Sequence, residues 1–411
     1  MSDESMKLAI NDELLKKYLQ LCHQEQLSTT VSNSSTVGTA GVTHELGFIE
    51  RIRIGFRSIW NHYFQPRGDD ESNNSQFTEL ENLIIQDKST FTSSLLTQYG
   101  KYVDIDIQEN DSNATIRTEN IFLAHIPPSS NKPTLIFIHG LGGTCQQFDL
   151  LFPKLIEESG YGLLCFDQPG FGLSHNDQKV PYDITLNRLT DLTFAVIEKV
   201  LMTSDDQEVH LVGHSYGTQI IINLICKYHQ KLRLDITKIW LLTPPMTPKK
   251  PLPFLQWLFL KVCYYQVWIM DTFRCFDRVG NIKGKSLERL VSFSEGHDEE
   301  EQEYLKLKQF RCNLLTNSYN FINQILSWSS LTEEDLVQFA TTIQLSVRQL
   351  SIIDGERDHL THDSGSKLYA KLEPHFQNRD SSISYKLIKD AGHVLMIDHY
   401  KETLAEMLKE E

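Results

Sequence analysis

Glu208-Val209-His210-Leu211-Val212-Gly213-His214-Ser215-Tyr216-Gly217 decides how this chain is read, because an apolar run enters Gly-x-Ser-x-Gly and continues into Thr218-Gln219-Ile220-Ile221-Ile222-Asn223-Leu224-Ile225. The first part has the continuous apolar pattern of a buried strand and the last part that of a helix. A serine held on such a strand–turn–helix is forced into a strained backbone, with Gly213 and Gly217 present because a β-carbon would meet neighbouring backbone. The turn is a nucleophile elbow. It lifts the Ser215 hydroxyl above the sheet edge and leaves the Tyr216 N–H, at the positive end of the helix, facing any oxyanion that forms there.

Working outward, similar apolar runs recur at 134–138, 162–166, 239–242, 350–353 and 384–388, most followed by helical patterns, while 102–107 and 114–126 read as an antiparallel opening pair. This is the order of an α/β fold with a mostly parallel sheet, whose ligands sit beyond the carboxyl ends of the strands. After the first parallel run, His139-Gly140-Leu141-Gly142-Gly143 lets backbone approach a substrate, and the Leu141 N–H is the second candidate oxyanion donor. His139 itself reads as structural, bonding loop backbone. The turn Asp167-Gln168-Pro169-Gly170-Phe171-Gly172-Leu173-Ser174 reads as a rigid wall of the site.

A serine hydroxyl needs a base, and the base needs a carboxylate that fixes its tautomer. Asp354-Gly355-Glu356-Arg357-Asp358 follows the strand 350–353, and Asp390-Ala391-Gly392-His393 follows the strand 384–388. Asp358 is the preferred acid, because Gly355 turns the chain to project it inward; Asp354 and Glu356 remain alternatives. His393 is the base. Leu241-Leu242-Thr243-Pro244-Pro245 carries no acid at its strand end. Together these residues resemble the α/β-hydrolase superfamily from Tyr102 to the C-terminus, which implies a Ser215–Asp358–His393 triad with backbone oxyanion donors at Leu141 and Tyr216, and no cofactor or metal.

The resemblance divides the chain into an extension over 1–95, a core over 96–246 and 332–411 with helices on both sheet faces, and a helical cap over 247–331 inserted before the acid-bearing strand. The cap is rich in aromatic residues, and Trp257 and Trp268, with His139 and His214, are the candidates for the substrate pocket. A cap of Trp, Phe and Leu suits an acyl chain better than a sugar or peptide. More loosely, Leu-Leu-Thr-Pro-Pro (241–245), Leu255-Gln256-Trp257, Phe276-Asp277-Arg278-Val279 and the helical stretch 304–328 resemble the fungal lipid droplet hydrolases, which implies triacylglycerol lipase or esterase activity on a neutral-lipid ester at a droplet surface. His393-Val394-Leu395-Met396-Ile397-Asp398 also fits the His-x4-Asp string associated with acyltransferases. Acyl transfer, or a scaffold without chemistry, is therefore the competing expectation.

Composition narrows the partners. In 411 residues with 40% hydrophobic content there is enough apolar material for a sizeable core. A formal net charge of −15 argues against nucleic acid, which needs a positive face. Seven scattered cysteines without a Cys-x-x-Cys pair read as reduced packing residues. The acidic start Met1-Ser2-Asp3-Glu4-Ser5 lacks the apolar run of a signal peptide, so an intracellular, cytoplasmic chain is expected. Within 1–95, a helical pattern near Leu14 and a Ser/Thr/Gly-rich run over 28–43 read as partly disordered. Residues 48–64 stand apart: Phe48, Ile49, Ile52, Phe56, Ile59, Trp60 and Tyr63 recur at helical spacing, rimmed by Arg51, Arg53 and Arg57. Such a helix either packs on the core or lies on a membrane or droplet surface.

Overall fold

The computed structural model describes residues 48–64, 77, 79–87, 91–108, 116–129, 132–174, 179–180, 182–202, 207–245, 252–344, 347–376 and 381–409. The helical pattern near Leu14 and the run 28–43 lie outside them.

Eight strands form one sheet: β1 (Gly100–Gln108), β2 (Ile116–Ile126), β3 (Thr134–Ile138), β4 (Gly162–Phe166), β5 (Gln207–His214), β6 (Leu234–Leu242), β7 (Gln349–Gly355) and β8 (Ser382–Ile388). Their order is β1-β2-β4-β3-β5-β6-β7-β8. β2 runs antiparallel to both β1 and β4, and every pairing from β4 onward is parallel. The expected strands are all present, and β3 and β4 start and stop where the apolar runs do.

Those runs are continuous because the sheet is covered on both sides, and the side chains divide by parity. Leu135, Phe137, Leu163 and Cys165 enter one core cluster, whereas Ile136, Ile138, Leu164 and Phe166 enter the other. The second cluster is closed by the helices Leu186–Val200, Tyr216–Tyr228, Glu333–Ile343 and Ser364–Leu372. The first is closed by residues around Phe148 and Leu151, by the C-terminal stretch Leu395–Leu404, and by the long helix Glu299–Leu314. That helix starts in the acidic run Asp298-Glu299-Glu300-Glu301-Gln302-Glu303: Asp298 caps it by accepting from the Glu300 and Glu301 amides, and the following glutamates sit at its positive end.

Two boundaries differ from the sequence expectation. Helices Glu79–Gln86 and Ser94–Tyr99 belong to the hydrolase body, with Ile84, Phe91, Leu95 and Leu96 in its core. Buried Arg311 donates to the carbonyls of Ile84 (3.1 Å) and Ile85 (3.2 Å), and buried Lys308 bonds Phe91 O (2.9 Å) and Asp149 (2.7 Å). The body therefore begins near residue 77 rather than 96. The expected helix Phe48–Phe64 forms, but it packs against the cap helix Val267–Arg278 instead of the core. Ile52, Ile59 and Tyr63 face Cys275 and Val279, while Phe56 and Trp60 stay exposed, so its apolar residues serve two faces and not one. The side chains of Phe48, Ile49 and Arg51 lie outside the described ones.

The cap between β6 and β7 comprises helices Phe254–Tyr265, Val267–Arg278, Lys285–Leu290, Glu299–Leu314 and Ser318–Leu326. Its insertion before the acid-bearing β7 matches the expectation.

Candidate active site

Ser215 follows β5 at φ 51° and ψ −121°, a positive-φ conformation that costs a serine about 1–3 kcal/mol. The local sequence fits that geometry. A β-carbon on Gly217 would lie 2.2 Å from Ile138 O, and one on Gly213 would lie 2.7 Å from Ile221 Cδ1. The Ser215 amide bonds Leu242 O at 2.9 Å and the serine carbonyl accepts from the Thr218 amide and hydroxyl, contacts that do not involve the Ser215 side chain.

Next to it, the loops after β7 and β8 are stitched together. Arg357 N donates to Ala391 O (2.8 Å) and Glu356 N to Ile388 O (3.0 Å); a β-carbon on Gly355 would lie 2.2 Å from Gly392 O. This close approach requires glycine and carries Asp358 to His393, whose Nδ1 pairs with Asp358 Oδ2 at 2.8 Å. The same carboxylate accepts from the Leu360 amide (2.7 Å), the Thr361 amide (3.0 Å) and the Thr361 hydroxyl. Burial alone would raise the Asp358 pKa, but the His393 and Thr361 contacts outweigh it and hold the carboxyl well below its usual range. The aspartate is thus ionised, and with Nδ1 committed to it, Nε2 is the nitrogen left to take a proton.

Asp354 has another task. Its carboxylate accepts from Tyr385 Oη at 3.3 Å and lies against Gly365, where a β-carbon would come within 2.3 Å of it; burial raises its pKa to about 6. It anchors the N-terminus of the helix Ser364–Leu372. Glu356 bonds the Asp390 amide at 3.0 Å.

The glycine loop after β3 closes the other side. A β-carbon on Gly140 would lie 2.8 Å from Ser215 Cβ and 3.3 Å from Tyr216 N, so this loop lies directly against the elbow. Among the described residues, neither the Leu141 nor the Tyr216 amide has an acceptor. His139 braces the loop: Gln168 N donates to its Nε2 (2.9 Å), which makes Nδ1 the donor to Gly140 O (2.9 Å). Burial lowers its pKa and keeps it neutral. With both nitrogens bonded to backbone, His139 is not a pocket wall. Asp167, one residue along, accepts from Thr144 Oγ1, Cys145 N and Leu173 N and sets the turn that follows.

His214 sits beneath the base, its ring centroid 4.9 Å from that of His393. Burial, and secondarily His393, push its pKa down to about 3, so it is neutral and its Nε2–H donates to His393 O at 3.0 Å. Thr243 Oγ1 donates to the same carbonyl. Trp257 and Trp268 do not join this cluster. Trp257 is exposed on an outer helix, and Trp268 packs its ring on Phe64 at 5.8 Å with its indole N–H on Gln266. An aromatic-rich helix has the same pattern whether it lines a pocket or faces outward, so the sequence could not separate the two.

Sequence reasoning missed the cap's direct hold on the oxyanion loop. Gln324 Oε1 accepts from Gly142 N (3.2 Å), its amide nitrogen bonds Gln168 Oε1 (3.2 Å), and Thr316 Oγ1 donates to Gly142 O (2.8 Å). A buried, uncharged Gln on a helix was the available signal. It also missed what Asp398 does. This buried carboxylate accepts from Gly392 N (2.7 Å) and Ser292 N (2.9 Å) and pairs with His399 Nδ1 (3.2 Å), while His393 N and Val394 N both donate to Leu290 O. Asp398 therefore ties the histidine loop to the cap. Replacing it by alanine orphans two buried amides. The expected outcome for Asp398→Ala is a loss of about 2–5 kcal/mol in urea unfolding. Turnover of the folded fraction falls about 10- to 100-fold as His393 shifts.

Fold and site together define a class: an α/β sheet with a strained elbow serine after β5 and, on the loop after β8, a histidine paired with a buried aspartate. Residues 133–400 match the family described as alpha/beta hydrolase fold, and the chain belongs to that family. It is similar to a proline iminopeptidase from Lactobacillus helveticus, 27% identical over 100 residues that make up 24% of this chain and 33% of that one, so the match spans about a third of the relative's length. Among solved structures, a thermophilic esterase from Thermogutta terrifontis superposes with a TM-score of 0.51 at 15% identity, covering 75% of this chain and 96% of its own. A study of carboxylesterases from Nitrososphaera gargenis supplies another, with a TM-score of 0.49 at 14% identity, covering 74% and 96%. At 15% identity the Thermogutta terrifontis structure speaks for the fold alone.

Proposed function

We propose that the protein is a serine hydrolase that cleaves carboxylic esters, acylglycerol-type lipid esters first among them, through an acyl-enzyme. The 2.8 Å Asp358–His393 hydrogen bond carries the reading, together with the strained elbow at Ser215. In the reaction, His393 Nε2 takes the Ser215 proton as Oγ attacks the ester carbonyl. The negative charge that develops on the carbonyl oxygen meets the Leu141 and Tyr216 amides, each worth about 3 kcal/mol of transition-state stabilisation. His393, now positive against Asp358, returns the proton to the leaving alcohol, and a water activated by the same imidazole releases the acid. Asp398 gives acyl transfer no support, since its carboxylate is spent on loop backbone and His399.

The lipid portion of the reading is supported by the apolar cap and by the resemblance noted above. Purified protein assayed on esters of graded acyl length, with glycerides in emulsion, is the test. Turnover is expected to rise with chain length and to include a glyceride. Preference for an acetyl ester or an amide, or product formed only when an acceptor alcohol is supplied, would contradict it.

A further inference from the structure

Among the described residues, most of the large apolar side chains left exposed are gathered on three outer helices, Phe48–Phe64, Phe254–Tyr265 and Val267–Arg278. Helix Phe254–Tyr265 is the extreme case. Its sequence FLQWLFLKVCYY buries only Cys263, and Leu255 and Phe254 stand 76% and 69% exposed. The three are one body. Gly55 lies so close to Cys275 that a β-carbon would meet its Sγ at 2.1 Å, and Tyr63 hydrogen-bonds the buried Asp271. Ring contacts continue from helix to helix, from Trp60 to Phe64 (4.8 Å), Phe64 to Trp268 (5.8 Å), and Phe259 to Phe273 (5.3 Å). Packing of the first helix on the cap leaves Trp60 52% exposed on its other side.

We propose that these three helices form a single docking platform for a lipid surface bearing anionic head groups. An apolar area of this extent on a water-facing exterior has to be covered. Charge complementarity selects the occupant. In a chain of net charge −15, Arg53 and Arg57 are exposed on the platform and Lys261 lies over the Trp257 ring, whereas, among the described side chains of the three helices, the acids Asp271 and Asp277 turn inward to Tyr63, Ser318 and Ser286. Aromatic and aliphatic side chains beside basic ones are the composition of an element that lies in a head-group layer. Among the described residues, no helix is long and apolar enough to cross a membrane, so the platform lies on the surface instead of spanning it. The choice of lipid also rests on the lipid-ester reading above. Position agrees with it: Tyr264 meets Tyr319 (hydroxyls 2.6 Å apart), and Tyr319's helix carries Gln324 to the oxyanion loop, so docked lipid lies a helix away from the site.

The test is co-flotation of full-length Ser215→Ala protein with phosphatidylcholine vesicles, with and without phosphatidylserine. A second protein adds Phe56→Asp, Trp60→Asp, Phe254→Asp and Leu255→Asp. The expected result is binding that strengthens with phosphatidylserine, weakens as salt rises, and falls about tenfold or more in the second protein. With Ser215 restored, the four exposed changes are expected to leave turnover of a short soluble ester unchanged, which shows that the fold survives and separates docking from chemistry. Equal flotation of the two proteins overturns the proposal. So does a wild-type dimer that the four changes dissociate, which would make a second copy the occupant. Vesicle binding that appears only after removal of residues 1–47 likewise overturns it and makes that segment the cover.

Discussion

Ser215→Ala is expected to lose ester hydrolysis by about 10⁴- to 10⁶-fold while keeping its unfolding midpoint at or above that of the wild type. The size follows from the chemistry. Without Oγ there is no acyl-enzyme, and what remains is whatever the two free amides and the pocket contribute to direct attack by water. Stability is not expected to suffer, because the turn is held by the Ser215 amide on Leu242 O and by Thr218 on the serine carbonyl, contacts that alanine keeps. The φ of 51° is strained for either residue. Activity and urea unfolding measured on the same preparation check both halves. Residual turnover near the wild-type level would move the nucleophile elsewhere.

Asp358→Asn is expected to lower turnover by about 10⁴-fold, through the tautomer of His393. An amide at this position presents either its oxygen or its NH₂ to Nδ1. The second choice leaves Nδ1 as the acceptor and puts the proton on Nε2, where the base has to be free. Asp354→Asn is the control, since it sits one loop turn away but bonds Tyr385 and lies against the start of the helix Ser364–Leu372. Its expected cost is in stability, with turnover per folded molecule little changed. Kinetics on the two variants at matched folded fraction check the ranking, and the reverse order would place the acid at Asp354.

The candidate site was legible because each part is encoded locally. An elbow needs Gly-x-Ser-x-Gly between a strand and a helix, and Gly355 and Gly392 mark the one place where the acid and histidine loops meet backbone to backbone. The buried parallel strands were equally plain, since a sheet covered on both faces leaves no polar alternation to obscure them. Long-range packing was not legible. Among the described side chains, the helices Glu79–Gln86 and Ser94–Tyr99 bury only one to two apolar ones each, and Arg311 bonds the end of the first and Lys308 the Phe91 carbonyl ahead of the second, charged residues more than 200 positions away in sequence. The helix Phe48–Phe64 showed an apolar period but not that Gly55 would let it lie on Cys275, dividing its apolar residues between two surroundings. Trp257 and Trp268 were placed in the pocket by composition alone. His-x4-Asp pointed to acyl transfer as a string, whereas the fold uses Asp398 to brace the histidine loop.

The central claim, that Ser215 is a nucleophile activated by His393, is tested most directly by fluorophosphonate labelling read by peptide mass spectrometry. The account predicts a single stoichiometric adduct on the peptide carrying Ser215, lost in Ser215→Ala and slowed by orders of magnitude in Asp358→Asn. An adduct on another residue, or labelling of Ser215→Ala at the wild-type rate, would contradict it.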